Sequence, residues 1–149
     1  MIETPELLRD VMRAARENGC KIEIVNAVDF RLPASVTLVR LNGKLYNVLD
    51  ARKAFRFKKG GPCYVRFRLS SQVLWNVEGT ICRDAVDPDN HRFFVFGSVL
   101  RDTFFPTNCE TQRKLLAIRR NCQRGGKANV DVWKYKDAWP RQYQQTPRR

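Results

Sequence analysis

The chain has 149 residues, 43 % of them apolar and 29 % charged, with 28 Lys and Arg against 15 Asp and Glu for a net charge of +13. That length allows one domain with a real core and excludes two comfortable ones. No apolar run approaches the roughly 20 residues of a bilayer span, and the opening MIETPELLRD lacks the apolar stretch of a signal peptide, so a soluble, intracellular protein, cytoplasmic or nucleoid-associated, is expected.

Taken in order, Thr4 and Pro5 before Leu7, Leu8, Val11, Met12 and Ala15, with Gly19 beyond, predict an amphipathic helix over about residues 5–18. Cys20 to Val25 alternates like a strand. Val36 to Leu41 and the run KLYNVLDA flank Asn42-Gly43, which predicts an antiparallel hairpin because both turn residues tolerate positive φ. Residues 52–58 continue or bend the second strand, and Gly60-Gly61-Pro62 breaks it. From Cys63 to Leu69 alternation is strict: Cys63, Val65, Phe67 and Leu69 on one face, Tyr64, Arg66 and Arg68 on the other. Residues 73–77 are ambiguous, 79–83 read as a short strand, and the turn AVDPDNHR follows. Phe93 to Leu100 reads as a covered central strand, and Thr103 to Phe105 as a further short one. Asn108 is placed to cap a helix over about residues 109–121, with arginines at its end as the macrodipole favours. A basic loop at 123–127, a strand at 129–134 and an irregular basic tail over 140–149 complete the chain, leaving residues 1–139 as a single nucleic-acid-binding domain. The expected fold class is α/β or α+β, a mixed central sheet flanked by helices.

The excess charge is confined to two stretches. Residues 50–70 hold seven Lys and Arg against Asp50 alone, and residues 109–149 hold eleven against three acids. Cations gain affinity for phosphates by releasing condensed counterions, so nucleic acid is the leading partner, double-stranded DNA ahead of RNA. The cations of the first stretch alternate with aromatics at strand spacing, without the helical spacing of a membrane-surface segment, so no membrane partner is expected. The contact set is Arg52, Lys53, Arg56, Lys58, Lys59, Arg66 and Arg68 from the first stretch, and Arg113, Lys114, Arg120, Arg124 and Lys127 from the second. Arg113 and Arg120, seven apart, would share one face of the predicted helix. Trp75, Trp133, Trp139, Tyr135 and Tyr143 could stack on unpaired bases, although core packing is the commoner use of such residues.

Five cysteines without a C-x-x-C pair, and His91 as the lone histidine, read as scattered buried thiols, with no zinc site. Any catalysis falls to carboxylates and lysine.

The helix PELLRDVMRAARENG, the hairpin PASVTLVRLNGKLYNVLDARKAF, the strand CYVRFRL and the apolar FFVFGSVLRDTFF together resemble the small PD-(D/E)XK nucleases, the restriction-endonuclease-like fold. The resemblance implies Mg²⁺ held by an acid at the start of the hairpin and by a Glu/Asp-x-Lys pair on its second strand, the metal activating water and the lysine orienting it. Here Ala34 stands where the first acid is expected, and Asp50-Ala51-Arg52 offers the pair with arginine in place of lysine. Asp29 could supply the missing acid, so Asp50 and Asp29 are the metal candidates. Glu6 (or Glu3) could serve as the helix acid, making Asp50, Arg52 and Glu6 the catalytic candidates. The resemblance therefore implies either a small Mg-dependent DNA endonuclease or a degenerate relative that binds without cutting, in a family whose members commonly form homo-oligomers. The competing class is a noncatalytic basic RNA-binding or ribonucleoprotein assembly subunit; the acidic turn at Asp84, Asp87 and Asp89 is compatible with contact to a protein partner, although a solvated loop is the better reading.

Overall fold

A computed structural model describes residues 5–107, 111–120 and 132–141. Helix α1 (Glu6–Glu17) is followed by β1 (Ile22–Val25), a 3-10 turn (Ala27–Phe30), β2 (Leu38–Leu41) and β3 (Lys44–Ala51). Then come β4 (Tyr64–Ser70), α2 (Ser71–Leu74), β5 (Gly79–Asp84), β6 (Arg92–Phe96), α3 (Val99–Phe104), β7 (Arg113–Arg119) and a second 3-10 turn (Val132–Tyr135). Five strands form a mixed sheet in the order β1-β2-β3-β5-β6, antiparallel except for β3 beside β5; β4 and β7 form a separate antiparallel pair. The fold is α+β.

Period-two burial builds two cores on this sheet. On one face, Val39, Leu41, Tyr46, Val48, Ile81, Phe93 and Val95 meet Leu8, Val11, Ala14 and Ala15 of α1. On the other, Leu38, Cys82, Phe94 and Phe96 meet Val65, Phe67 and Leu69 of β4 and Leu116 and Ile118 of β7. The central β5 is buried along its whole length. Asn42 (φ 51°) and Gly43 (φ 85°) both adopt the left-handed conformation that the hairpin turn demands, and Leu41 pairs with Lys44 across it.

Helix α1, the first three strands, β4 and β5 follow the sequence reading. Elsewhere the structure corrects it. The helix expected over 109–121 is the strand β7: the run Leu115 to Ile118 gains a full ladder of partners from Arg68 to Val65 on β4, and tertiary pairing outweighs the local helix signals. The strand expected over 93–100 in the middle of the sheet is instead an edge strand, β6, and ends at Phe96, before the exposed Gly97; residues 99–104, expected in part as strand, form α3. Residues 71–74 are a short helix, and the part of the 129–134 strand that lies within the described residues is 3-10 turn. Of the two courses expected for residues 52–58, continuing or bending the second strand, the chain takes the bend: β3 ends at Ala51 and Phe55 bridges back to Tyr64. Thr4, Asn108, Cys109, Cys122, Arg124, Lys127 and Tyr143 lie outside the described residues, as do Glu3 and most of the 140–149 tail.

Candidate functional site

Asp50 and Arg83 are direct neighbours across the parallel β3–β5 pair, and both project to the α1 face, where Glu6 and Asp10 lie one turn apart. The Arg83 side chain is fully buried, yet each of its five N–H groups has an acceptor. Nε donates to Asp50 Oδ1 (2.8 Å), and Nη2 to Asp50 Oδ2 and Glu6 Oε1 (3.0 Å each). Nη1 donates to Glu6 Oε2 and, at 2.9 Å, to Asp10 Oδ2. Arg52 closes the cluster from outside, with Nε on Asp50 Oδ2 (3.1 Å) and Nη2 on Glu6 Oε1 (3.0 Å), while Arg13 bonds the other Asp10 oxygen. His91 Nδ1 lies 2.6 Å from Asp10 Oδ2.

The electrostatics follow from this geometry. Burial works against ionising Asp50, but the guanidinium groups of Arg83 and Arg52 outweigh it and hold the carboxyl below its usual range. Asp10 is likewise desolvated and still held low, by His91, Arg13 and Arg83. The hydrogen bonds from Arg83 lower Glu6. Burial opposes the charge on Arg83, and the bonds to Glu6, Asp50 and Asp10 reverse that effect and raise its pKa.

Thus two of the expected catalytic residues, Asp50 and Arg52, do meet the third, Glu6, and Asp10 joins them. Asp29 is exposed on the 3-10 turn and outside this cluster. The donor set does not fit Mg²⁺ held by Asp50. Such an ion needs oxygens free to complete an octahedron with water, and both Asp50 oxygens and both Glu6 oxygens already accept from Arg83. Glu6, Asp10 and His91 each offer a ligand atom within 4.8 Å of the others, but the two acids among them are spoken for by the same guanidinium. The cluster is an internal ion network with a side-chain cation at its centre.

The opposite face carries the cationic surface. Register places Arg66 opposite Ala117, Arg68 opposite Leu115 and Ser70 opposite Arg113. Arg66, Arg68, Arg113 and Leu115 are exposed, and Arg68, Arg113, Lys114 and Leu115 line a shallow depression. Phe55 and Tyr64 exchange two backbone hydrogen bonds of 2.8 Å, which fold the exposed Lys53, Arg56, Lys58 and Lys59 segment back beside β4. From the second basic stretch, distant along the chain, Arg113 therefore joins the cations of the first on this surface.

Three expected contacts change character. Arg52 belongs to the acid cluster. Arg120 turns inward and donates from Nε to Asp84 Oδ2 (3.0 Å), its side chain 14 % exposed; in a strand a separation of seven puts Arg113 and Arg120 on opposite faces. Lys114 is exposed but donates to the Phe104 carbonyl at 2.8 Å. Asp84, expected in an exposed acidic turn, is buried beneath Arg120, leaving Asp87 and Asp89 at the surface. The stacking candidates are packed: Trp75 Nε1 donates to the Phe105 carbonyl, Trp133 Nε1 to the Arg119 carbonyl, Trp139 is buried against Phe93, and Tyr135 packs on Phe96.

Sequence reasoning missed Arg83, Asp10 and His91. Only strand register brings positions 50 and 83 together, although the charged pair Arg83-Asp84 between Ile81-Cys82 and Ala85-Val86 was a signal that buried partners must exist. The chain matches no protein-family model, no curated protein and no solved structure. Among the described residues no helix is long and apolar enough to cross a membrane.

Proposed function

We propose that this protein binds double-stranded DNA without cleaving it, through the outer face of the β4–β7 ribbon and the adjoining 52–62 segment, and that it is a catalytically degenerate relative of the PD-(D/E)XK nucleases. One observation carries the reading: Arg66, Arg68 and Arg113 stand exposed on a two-stranded antiparallel ribbon, flanked by Lys53, Arg56, Lys58 and Lys59. The B-form major groove admits such a ribbon, whereas the deep, narrow major groove of A-form RNA does not, which favours duplex DNA. Kinship with the nucleases is supported by helix acids meeting Asp50-x-Arg52 beside an antiparallel meander. Loss of cleavage is supported by Arg83, whose guanidinium holds the carboxylates that a metal would need.

Fluorescence anisotropy with a mixed-sequence duplex, alongside nicking of supercoiled plasmid in Mg²⁺ or Mn²⁺, tests both halves. Salt-sensitive binding and intact plasmid are expected. Nicking that disappears in Asp50→Ala would overturn the noncatalytic reading, and tighter binding to folded RNA than to duplex would overturn the DNA assignment.

A further inference from the structure

We propose that Phe57 is a stacking platform for an unpaired base, so that the preferred ligand is DNA in which single-stranded bases adjoin a duplex. This rests on the DNA-binding reading above and specifies its substrate class. Phe57 is 54 % exposed; Ile24, Val28 and Leu115 are the other large exposed hydrophobic residues among those described, which makes Phe57 the aromatic one of the set. It lies within the cationic segment, between the exposed Arg56 and Lys58 and next to Lys59.

The ring is held by edge-on contacts with Phe55 (centroids 4.8 Å apart, planes at 78°) and Tyr64 (5.0 Å, 69°). Arg66 places its guanidinium 4.9 Å above the Phe55 ring, joining this aromatic corner to the ribbon. The backbone beneath is fixed by the bridge between Phe55 and Tyr64 and by the turn in which Gly61 N–H donates to the Lys58 carbonyl (3.0 Å). More than half of the residue stays exposed beside these contacts, and a base that has left its duplex gains a stacking partner from such a ring. Cations on both sides supply the phosphate contacts that a strand crossing the ring would need, and base–aromatic stacking tolerates any sequence.

The test compares fluorescein-labelled DNAs of equal length, one a full duplex and one with a short single-stranded gap containing 2-aminopurine. Wild-type protein is expected to bind the gapped DNA more tightly and to change the 2-aminopurine emission. Phe57→Ala should weaken gapped-DNA binding about 5-fold or more, and by clearly more than it weakens duplex binding. Phe57→Trp should retain the preference, with indole emission quenched by the gapped DNA. Equal losses on both DNAs, or no loss on either, would overturn the stacking role, and so would a stronger preference for single-stranded RNA. Failure of the wild-type protein to bind any DNA would instead overturn the underlying reading, independently of Phe57.

Discussion

At Arg83 a planar guanidinium meets three carboxylates with no donor left over. An ion cluster of this kind contributes little net stability relative to an apolar replacement of the whole set, because Arg83 had to leave water entirely, and Asp10 and Asp50 for the most part. Removing one member is another matter. Arg83→Ala leaves Glu6, Asp10 and Asp50 facing one another without their shared counterion and should lower the unfolding free energy by about 3–5 kcal/mol in urea titrations. Arg83→Lys should recover only part of it, since an ammonium cannot span two carboxylates with a fixed fork. The pH dependence has a definite sign. Glu6, Asp10 and Asp50 are depressed in the folded state, so their contribution is complete above the ordinary carboxylate pKa of about 4 and drains away as pH falls through the lower folded values. Circular dichroism should show Arg83→Ala unfolding at higher pH than wild type. From the sequence, Asp50, Arg52 and Glu6 were each legible as a charged group near a strand or helix. The residue that organises them was not, because it lies 33 positions from Asp50 and only parallel register aligns them.

At the level of elements, strict alternation made β4 readable, and Asn-Gly made the β2–β3 hairpin readable, since each depends on neighbours in sequence. Strand β7 was not readable: its four-residue apolar core, Leu115 to Ile118, suits either periodicity, and its partner lies more than forty residues earlier on β4. Gly79 shows the same limit. It opens β5 opposite Tyr46, and a methyl group there would collide with the Phe96 carbonyl and the Tyr46 ring. A strand backbone and a buried aromatic ring leave nothing flexible to yield. Gly79→Ala should therefore cost about 1–3 kcal/mol, as overpacking does, and lower the thermal midpoint, a loss that a calorimetric scan would measure.

For the whole molecule, the described cations differ in whether an acid already holds them. On the α1 side Arg83, Arg52 and Arg13 are paired with Glu6, Asp10 and Asp50; the ribbon side leaves Arg66, Arg68 and Arg113 exposed. Net charge and its two stretches were visible in the sequence, but which cations are consumed internally was not. Neutralising Arg66 and Arg68 together should reduce the slope of log affinity against log salt for duplex DNA by about 0.9 for each phosphate that the protein no longer neutralises. Arg120→Ala, by contrast, should leave that slope near wild type and lower stability, because its guanidinium serves the buried Asp84. Anisotropy titrations at several salt concentrations, with urea melts of the same variants, separate the two roles.

Strands β3 and β5 run side by side in the same direction, so the chain cannot pass from one to the other by a tight turn and must make a long excursion outside the sheet. That detour spans residues 52–78, and seven cations ride on it. What the topology requires is the connection itself, together with the apolar positions of β4 that cover the core. The side chains facing away from the core carry no such obligation. Evolution could therefore retune the outward lettering of this excursion, in charge, aromatic content or length, while the framework on either side stays as it is.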